Sequence, residues 1–96
     1  MKNKYEAVIV LNTQGKEDTV DKMIGQIGRD IETEGARLEQ IDQLGRRKFI
    51  YNPRKLDEGF YVNFHFEAEP TVIDKLRNRL KLNNDVFLQH YQRRGA

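Results

Sequence analysis

The order of apolar and polar residues divides the chain into six segments of helix or strand character. Residues 4–11 contain a near-continuous apolar stretch, which is typical of a central strand covered on at least part of both faces. Between residues 17 and 34 the apolar side chains recur at helical spacing and form one stripe: Val20, Met23, Ile24, Ile27 and Ile31. The pattern predicts a strand and then an amphipathic helix, with Gly35 as its C-terminal cap.

Residues 36–51 do not follow a single period. Leu38, Ile41 and Leu44 are spaced by three positions, which does not fit a flat strand and leaves a bulged strand or a short helix. A bulged strand is favoured because residues 49–51 are Phe, Ile and Tyr, which are common in strands. Pro53 lacks a backbone N–H, so this strand is expected to end near residue 52.

Residues 60–68 alternate between apolar and polar side chains, as a strand with one buried face does. The polar face of this predicted strand carries Tyr61, Asn63, His65 and Glu67. Pro70 and Thr71 open a second helix, with four apolar side chains inward and four basic ones outward: Val72, Ile73, Leu76 and Leu80 against Lys75, Arg77, Arg79 and Lys81. A turn over residues 83–85 leads into a last strand over residues 86–93.

The predicted order is therefore strand, helix, strand, strand, helix, strand. Two βαβ units of this kind form an α+β ferredoxin-like βαββαβ fold, in which a four-stranded antiparallel sheet carries two helices on one face. A length of 96 residues is expected to form a single ferredoxin-like domain over residues 1–96.

Charge is unevenly distributed along the chain, although the formal net charge is only +2. Acidic residues concentrate between residues 17 and 42, whereas residues 44–55 hold five basic residues and no acidic one: Arg46, Arg47, Lys48, Arg54 and Lys55. This stretch forms the predicted hairpin between the second and third strands, so its tip is suited to binding phosphates. A solvated edge strand whose charges prevent aggregation is an open alternative, as is pairing of Arg47 with Glu67.

Catalytic chemistry has few candidate residues. The chain contains no Ser and no Cys, which excludes disulfides and thiolate metal sites. His65 and His90 could approach each other on adjacent strands, but without a nearby carboxylate pattern they are a weak metal signal. Gly15 and Lys16 lack the other residues of a P-loop. The sequence predicts no enzyme, no metal site and no cofactor. It also shows no membrane-spanning run and no signal-peptide pattern, so a cytoplasmic setting is expected.

A set of residues between Tyr5 and Arg93 has a characteristic order and spacing: Tyr5-Glu6, Gly35-Ala36, Leu44-Gly45-Arg46-Arg47, Tyr51, Lys55, Gly59, Leu76, Leu80, Asn84 and Val86. In this set the chain resembles the bacterial small-subunit ribosomal protein S6 family. The resemblance implies the ferredoxin-like fold, no enzymatic activity, and binding of small-subunit ribosomal RNA together with ribosomal protein S18. The expected location is the small subunit of a cytoplasmic ribosome, with an organellar ribosome as an open alternative.

On this interpretation nine residues are expected to face RNA: Lys2, Lys4, Tyr5, Arg46, Arg47, Arg54, Lys55, Arg93 and Arg94. Their expected role is to position the RNA backbone rather than to read base edges. Tyr61, Asn63 and His65, on the sheet face that the helices leave uncovered, are expected to contact the protein partner. The alternative is a ferredoxin-like protein-interaction or dimerisation module without a ribosomal role.

Overall fold

A computed structural model describes residues 2–12, 19–48 and 58–94. Its elements are β1 (Asn3–Leu11), α1 (Val20–Thr33), β2 (Arg37–Lys48), β3 (Glu58–Ala68), α2 (Thr71–Lys81) and β4 (Val86–Arg93). The strands form one antiparallel sheet in the order β2-β3-β1-β4. The predicted ferredoxin-like fold is confirmed, with β1 as a central strand. Within the described ranges, no helix is long and apolar enough to cross a membrane.

The hydrophobic core lies between one face of the sheet, here called the covered face, and the two helices. Alternate residues of β3 on this face, from Val62 to Ala68, are fully buried: Val62, Phe64, Phe66 and Ala68. Helix α1 contributes Ile27 and Ile31, and α2 contributes Leu76 and Leu80. The apolar phase predicted for each of these elements therefore packs inward, as hydrophobic burial requires.

Helix α1 ends in a glycine-dependent turn. Gly35 has a φ of +100°, in the left-handed region that a side chain disfavours. The Gly35 N–H donates to the Glu32 carbonyl at 3.0 Å, and the Ala36 N–H donates to the Ile31 carbonyl at 3.3 Å. This pair of bonds is a Schellman motif, so the predicted cap is confirmed.

Two irregularities in β2 explain the spacing of its apolar residues. The β2–β3 register shifts between Leu38 and Gln40 and again between Gln43 and Gly45, where Gly45 has a φ of +88°. Each shift inserts an extra residue, so side chains three positions apart can return to related faces. The bulged strand is confirmed and the short helix is excluded. The expected strand end near residue 52, and the faces taken by residues 49–51, lie outside the described residues.

The strand order also corrects two pairings. His65 lies on β3 and His90 on β4, and β1 separates these strands, so the two imidazoles are not on adjacent strands. Arg47 is opposite Gly59 in the β2–β3 ladder, whereas Glu67 is opposite Arg37. The position of Arg47 therefore excludes the pairing with Glu67, which the sequence left open because it does not give the register.

Candidate partner and RNA-binding surfaces

The sheet face opposite the helices, here called the open face, is apolar toward the hairpin. Val10 of β1 is opposite Tyr61 of β3 on one side and Leu88 of β4 on the other. Leu88 is 41% exposed, whereas Val10 is only 3% exposed. The row Tyr61–Val10–Leu88 is called the apolar end of the open face. It is a candidate contact surface for a protein side chain, because apolar side chains are gathered there.

Asn63 lies next to this apolar end, opposite Val8 in β1. Its side-chain oxygen is buried and accepts no hydrogen bond from the residues that the structure describes. A buried acceptor without a donor is uncommon in folded proteins, because desolvation is then uncompensated.

Toward the other end, the open face is ionic and centred on His65, which is only 7% exposed. His65 Nε2 lies 2.8 Å from Asp42 Oδ2, and His65 Nδ1 lies 2.9 Å from Arg94 Nη1. Glu6 Oε1 is 3.5 Å from both His65 Nδ1 and Arg94 Nε. These four side chains, from three strands and the residue after β4, are called the His65 cluster.

Hydrogen bonds hold Asp42 in its ionised form. The Gln40 amide donates to Asp42 Oδ1 at 2.7 Å, and His65 contacts the other carboxylate oxygen. The Gln40 bond and then the His65 bond lower the pKa of the Asp42 carboxyl below its usual range. Asp42 therefore acts as an acceptor in the cluster and fixes the imidazole in place.

The predicted RNA-facing residues form two groups at opposite ends of the sheet. One group lies beside the start of β1 and the end of β4: Lys2, Lys4, Arg93 and Arg94. The other lies at the hairpin with Arg46 and Arg47, while Arg54 and Lys55 fall outside the described residues. Lys4 is opposite Glu67 and Arg47 is opposite Gly59, eight positions apart on β3. At about 3.3 Å per residue the two groups are roughly 25 Å apart.

The structure places Tyr5 in the core rather than on a surface that faces RNA. Tyr5 is 8% exposed, and its ring centroid lies 5.9 Å from that of Phe66. Its hydroxyl accepts a hydrogen bond from Asn3 Nδ2 at 3.3 Å. The alternation of β1 explains this position, because Tyr5 shares the covered face with the buried Ala7 and Ile9.

Sequence reasoning did not identify Val10, Leu88, Glu6 and Asp42 as members of the open face. Their grouping depends on the strand order, which places β1 beside β3 and brings Glu6 opposite His65. A local signal was present in β1, because its even-numbered positions alternate with the buried odd-numbered ones. That signal gives the face of each residue but not its neighbours on other strands.

The fold and these surfaces define an α+β ferredoxin-like protein in which the helices cover one face of the sheet and leave the other uncovered. A family model described as "Ribosomal protein S6" matches residues 4–89, and the chain therefore belongs to the ribosomal protein S6 family. The chain is 40% identical over 88 residues to "Small ribosomal subunit protein bS6" of Akkermansia muciniphila, covering 92% of this chain and 94% of that protein. It is 30% identical over 91 residues to the protein of the same name from Desulforamulus reducens, covering 95% and 96% respectively.

Solved structures show the same fold. The crystal structure of 30S ribosomal protein S6 from Thermotoga maritima matches with a TM-score of 0.87 at 20% identity, covering 98% of this chain and 89% of that one. The solution structure of the C-terminal domain of the MgtC protein from Mycobacterium tuberculosis matches with a TM-score of 0.59 at 18% identity, covering 96% and 87%. At these identities the likeness concerns the fold alone.

Proposed function

We propose that this protein is a structural component of the small ribosomal subunit in the bacterial cytoplasm, where it binds small-subunit ribosomal RNA together with ribosomal protein S18. The family match over residues 4–89 carries this proposal, and the bacterial relatives bear the name of a small-subunit protein. S18 is the partner that the family resemblance implies. The chain acts as one domain, residues 1–96, without a cofactor or a catalytic step.

The placement of the basic groups supports an RNA contact at each end of the sheet. Arginine and lysine side chains bind phosphate oxygens without regard to base identity, so they fix the position of an RNA backbone. Lys4 has an exposed side chain although its Nζ lies 3.5 Å from Glu39 Oε2. Tyr5, as part of the core, supports β1 beneath this group rather than touching RNA.

The open face between the two basic groups supports the protein contact. Tyr61 and Leu88 present apolar area there, and the partly exposed Asn63 lies beside them on the same face. Aromatic anchors with a few polar groups beside them are typical of the centre of a protein interface. His65 supports this surface from within the His65 cluster, since it is largely buried itself.

The test is a titration of the protein with a small-subunit ribosomal RNA fragment at several salt concentrations, with and without S18. Each phosphate contact releases condensed counterions, so removing two contacts is expected to reduce the slope of log affinity against log salt by roughly one to two units. The first variant is Arg46→Ala/Arg54→Ala at the hairpin. The second is Lys2→Ala/Arg93→Ala at the opposite end of the sheet, and the two effects should add because the sites are distant.

Lys75→Ala/Lys81→Ala is the matched control, because it removes the same charge from the exposed side of α2. Its salt slope should equal that of the wild type. Equal slopes for all four proteins would refute the assignment of the basic groups to RNA. Binding of S18 without any binding of RNA would instead favour the protein-interaction module.

A further inference from the structure

The protonation state of His65 follows from its two neighbours. The Asp42 carboxylate can only accept, so the hydrogen on this 2.8 Å contact must belong to His65 Nε2. The Arg94 guanidinium can only donate, so His65 Nδ1 must accept in the 2.9 Å contact with Arg94 Nη1. Both bonds exist together only in the neutral imidazole that carries its hydrogen on Nε2.

A proton on Nδ1 is incompatible with this arrangement. It converts the acceptor into a donor and places an N–H against the N–H of Arg94, with like charges in contact. The nearest acceptor for the new N–H is Glu6 Oε1, 3.5 Å away. Glu6 is also the second partner of Arg94, since Arg94 Nε lies 3.5 Å from the same oxygen. Protonated His65 and Arg94 therefore both direct an N–H toward the same oxygen, Glu6 Oε1.

The charged groups that face His65 come from every neighbouring element. They are Glu6 from β1, Asp42 from β2 and Arg94 after β4. Further along this end of the open face, Glu39 pairs with Lys4 at 3.5 Å and with Arg37 at 3.8 Å, and Glu67 lies opposite the same two basic residues. Of the groups in contact with His65, Arg94 is the cation, and its side chain is 45% exposed. Released from His65 and Glu6, this guanidinium has solvent to move into.

We propose that the His65 cluster is a proton-operated latch on Arg94: neutral His65 holds the guanidinium on the open face, and a proton on Nδ1 releases it to bind an RNA phosphate. The inference rests on the proposed RNA-binding function and adds a regulation to it. It also revises the expected role of Arg94, which becomes an RNA contact only after the latch opens. Its neighbour Arg93, on β4 opposite Tyr5, is not part of the cluster.

The latch itself is tested in the free protein by nitrogen-15 NMR of the His65 ring and the Arg94 side chain. Spectra are compared at two pH values, one at which the nitrogen-15 shifts of the ring show neutral His65 and one at which they show it protonated. The protection of the Arg94 N–H groups, taken relative to the exchange of a free arginine at the same pH, is expected to be present while His65 is neutral and to be lost once His65 is protonated. Protection of Arg94 that persists on protonated His65 would overturn the latch.

The consequence for RNA is tested by measuring the salt slope at the same two pH values. Wild-type protein should show a slope steeper by about one unit at the lower pH, because one more phosphate contact forms. In Arg94→Gln this pH difference should vanish. In His65→Asn, whose side-chain oxygen keeps an acceptor near the Nδ1 position and cannot be protonated, the slope should stay at the wild-type high-pH value throughout.

Two variants control for other effects of pH and charge. His90→Gln removes the other imidazole of the chain, and it should keep the full pH difference. Arg93→Gln should reduce the slope equally at both pH values and also keep the difference. A pH difference that persists in Arg94→Gln would refute the latch. Absence of RNA binding at both pH values in wild-type protein would refute the proposed function instead. The release of Arg94 would still be tested by the NMR experiment, which needs no RNA.

Discussion

The covered and open faces of the sheet are built from alternate residues of the same strands, yet they are held together differently. On β3 the covered positions are Val62, Phe64, Phe66 and Ala68, all fully buried by the helices. The open positions are Tyr61, Asn63, His65 and Glu67, of which only His65 is buried. The covered face depends on apolar area, which has no direction. The open face depends on hydrogen bonds and ion pairs between specific atoms, such as His65 with Asp42, and these interactions are directional.

The largest expected difference between the faces is in stability. Leu76→Ala removes a fully buried side chain beneath the covered face and should lower the free energy of unfolding by about 2–5 kcal/mol. Leu88→Ala removes a side chain of the open face that is 41% exposed, and it should cost less than about 1 kcal/mol. Urea titrations of both variants give the comparison. Similar losses in the two variants would show that the open face also belongs to the core.

The reverse difference is expected in partner binding. Tyr61→Ala should weaken binding of S18 about tenfold, because a tyrosine at the centre of an interface commonly contributes 1–2 kcal/mol or more. Its unfolding free energy should change little. Leu82→Ala is the control, since Leu82 is 84% exposed and lies at the C-cap of α2 rather than on a strand. Isothermal calorimetry with S18 measures both variants, and wild-type affinity in Tyr61→Ala would exclude the apolar end as the contact.

The smallest expected effects are on the pH dependence of stability, and they differ in sign between the faces. On the open face, the lowered pKa of Asp42 means that the folded state favours the carboxylate. The resulting stability is present above the ordinary aspartate pKa of about 4 and is lost as the pH falls through the lower value of the folded state. Asp42→Asn should therefore lose less stability than the wild type on acidification, as measured by urea unfolding. An equal loss of stability on acidification in both proteins would contradict this prediction.

On the covered face, Tyr91 responds to alkali instead. Burial raises the pKa of the Tyr91 phenol to about 12, although the Arg77 guanidinium, 5.3 Å from the ring centroid, opposes the shift. The folded state favours the neutral phenol, so this stability is present below the ordinary tyrosine pKa of about 10 and is lost as the pH rises toward 12. The ultraviolet difference between wild type and Tyr91→Phe reports the ionisation. A transition near pH 10 would place Tyr91 in solvent.

The covered face could be predicted from the sequence because its signal is local. The stripe of Ile24, Ile27 and Ile31 in α1 and the alternation from Val62 to Ala68 in β3 each report a face without knowledge of the rest of the fold. The sequence also predicted that β2 is a bulged strand. The positions of the bulges could not be predicted, because they depend on how β2 aligns with β3.

The open face could be predicted only in part, because its contacts join strands whose alignment the sequence does not give. Its polar residues on β3 were identified, but the His65 cluster draws Glu6 and Asp42 from strands that are distant in sequence. The family resemblance led to the expectation that Tyr5 faces RNA, whereas the alternation of β1 places its side chain in the core. Among the described residues expected to face RNA, the register separates Lys4 at one end of the sheet from Arg46 and Arg47 at the other, which the sequence does not show.

That division gives the proposed RNA contact the properties of a bivalent ligand on a stiff spacer. The sheet holds its two basic groups roughly 25 Å apart at about 3.3 Å per residue. Once one group is bound, the second meets its phosphates at a high effective concentration, but only where the RNA presents them at that span. An RNA with a different shape engages one end and gains no avidity. On the proposed function, the fixed span of the sheet would favour an RNA whose phosphates lie at that distance, and so a folded RNA over an unfolded one.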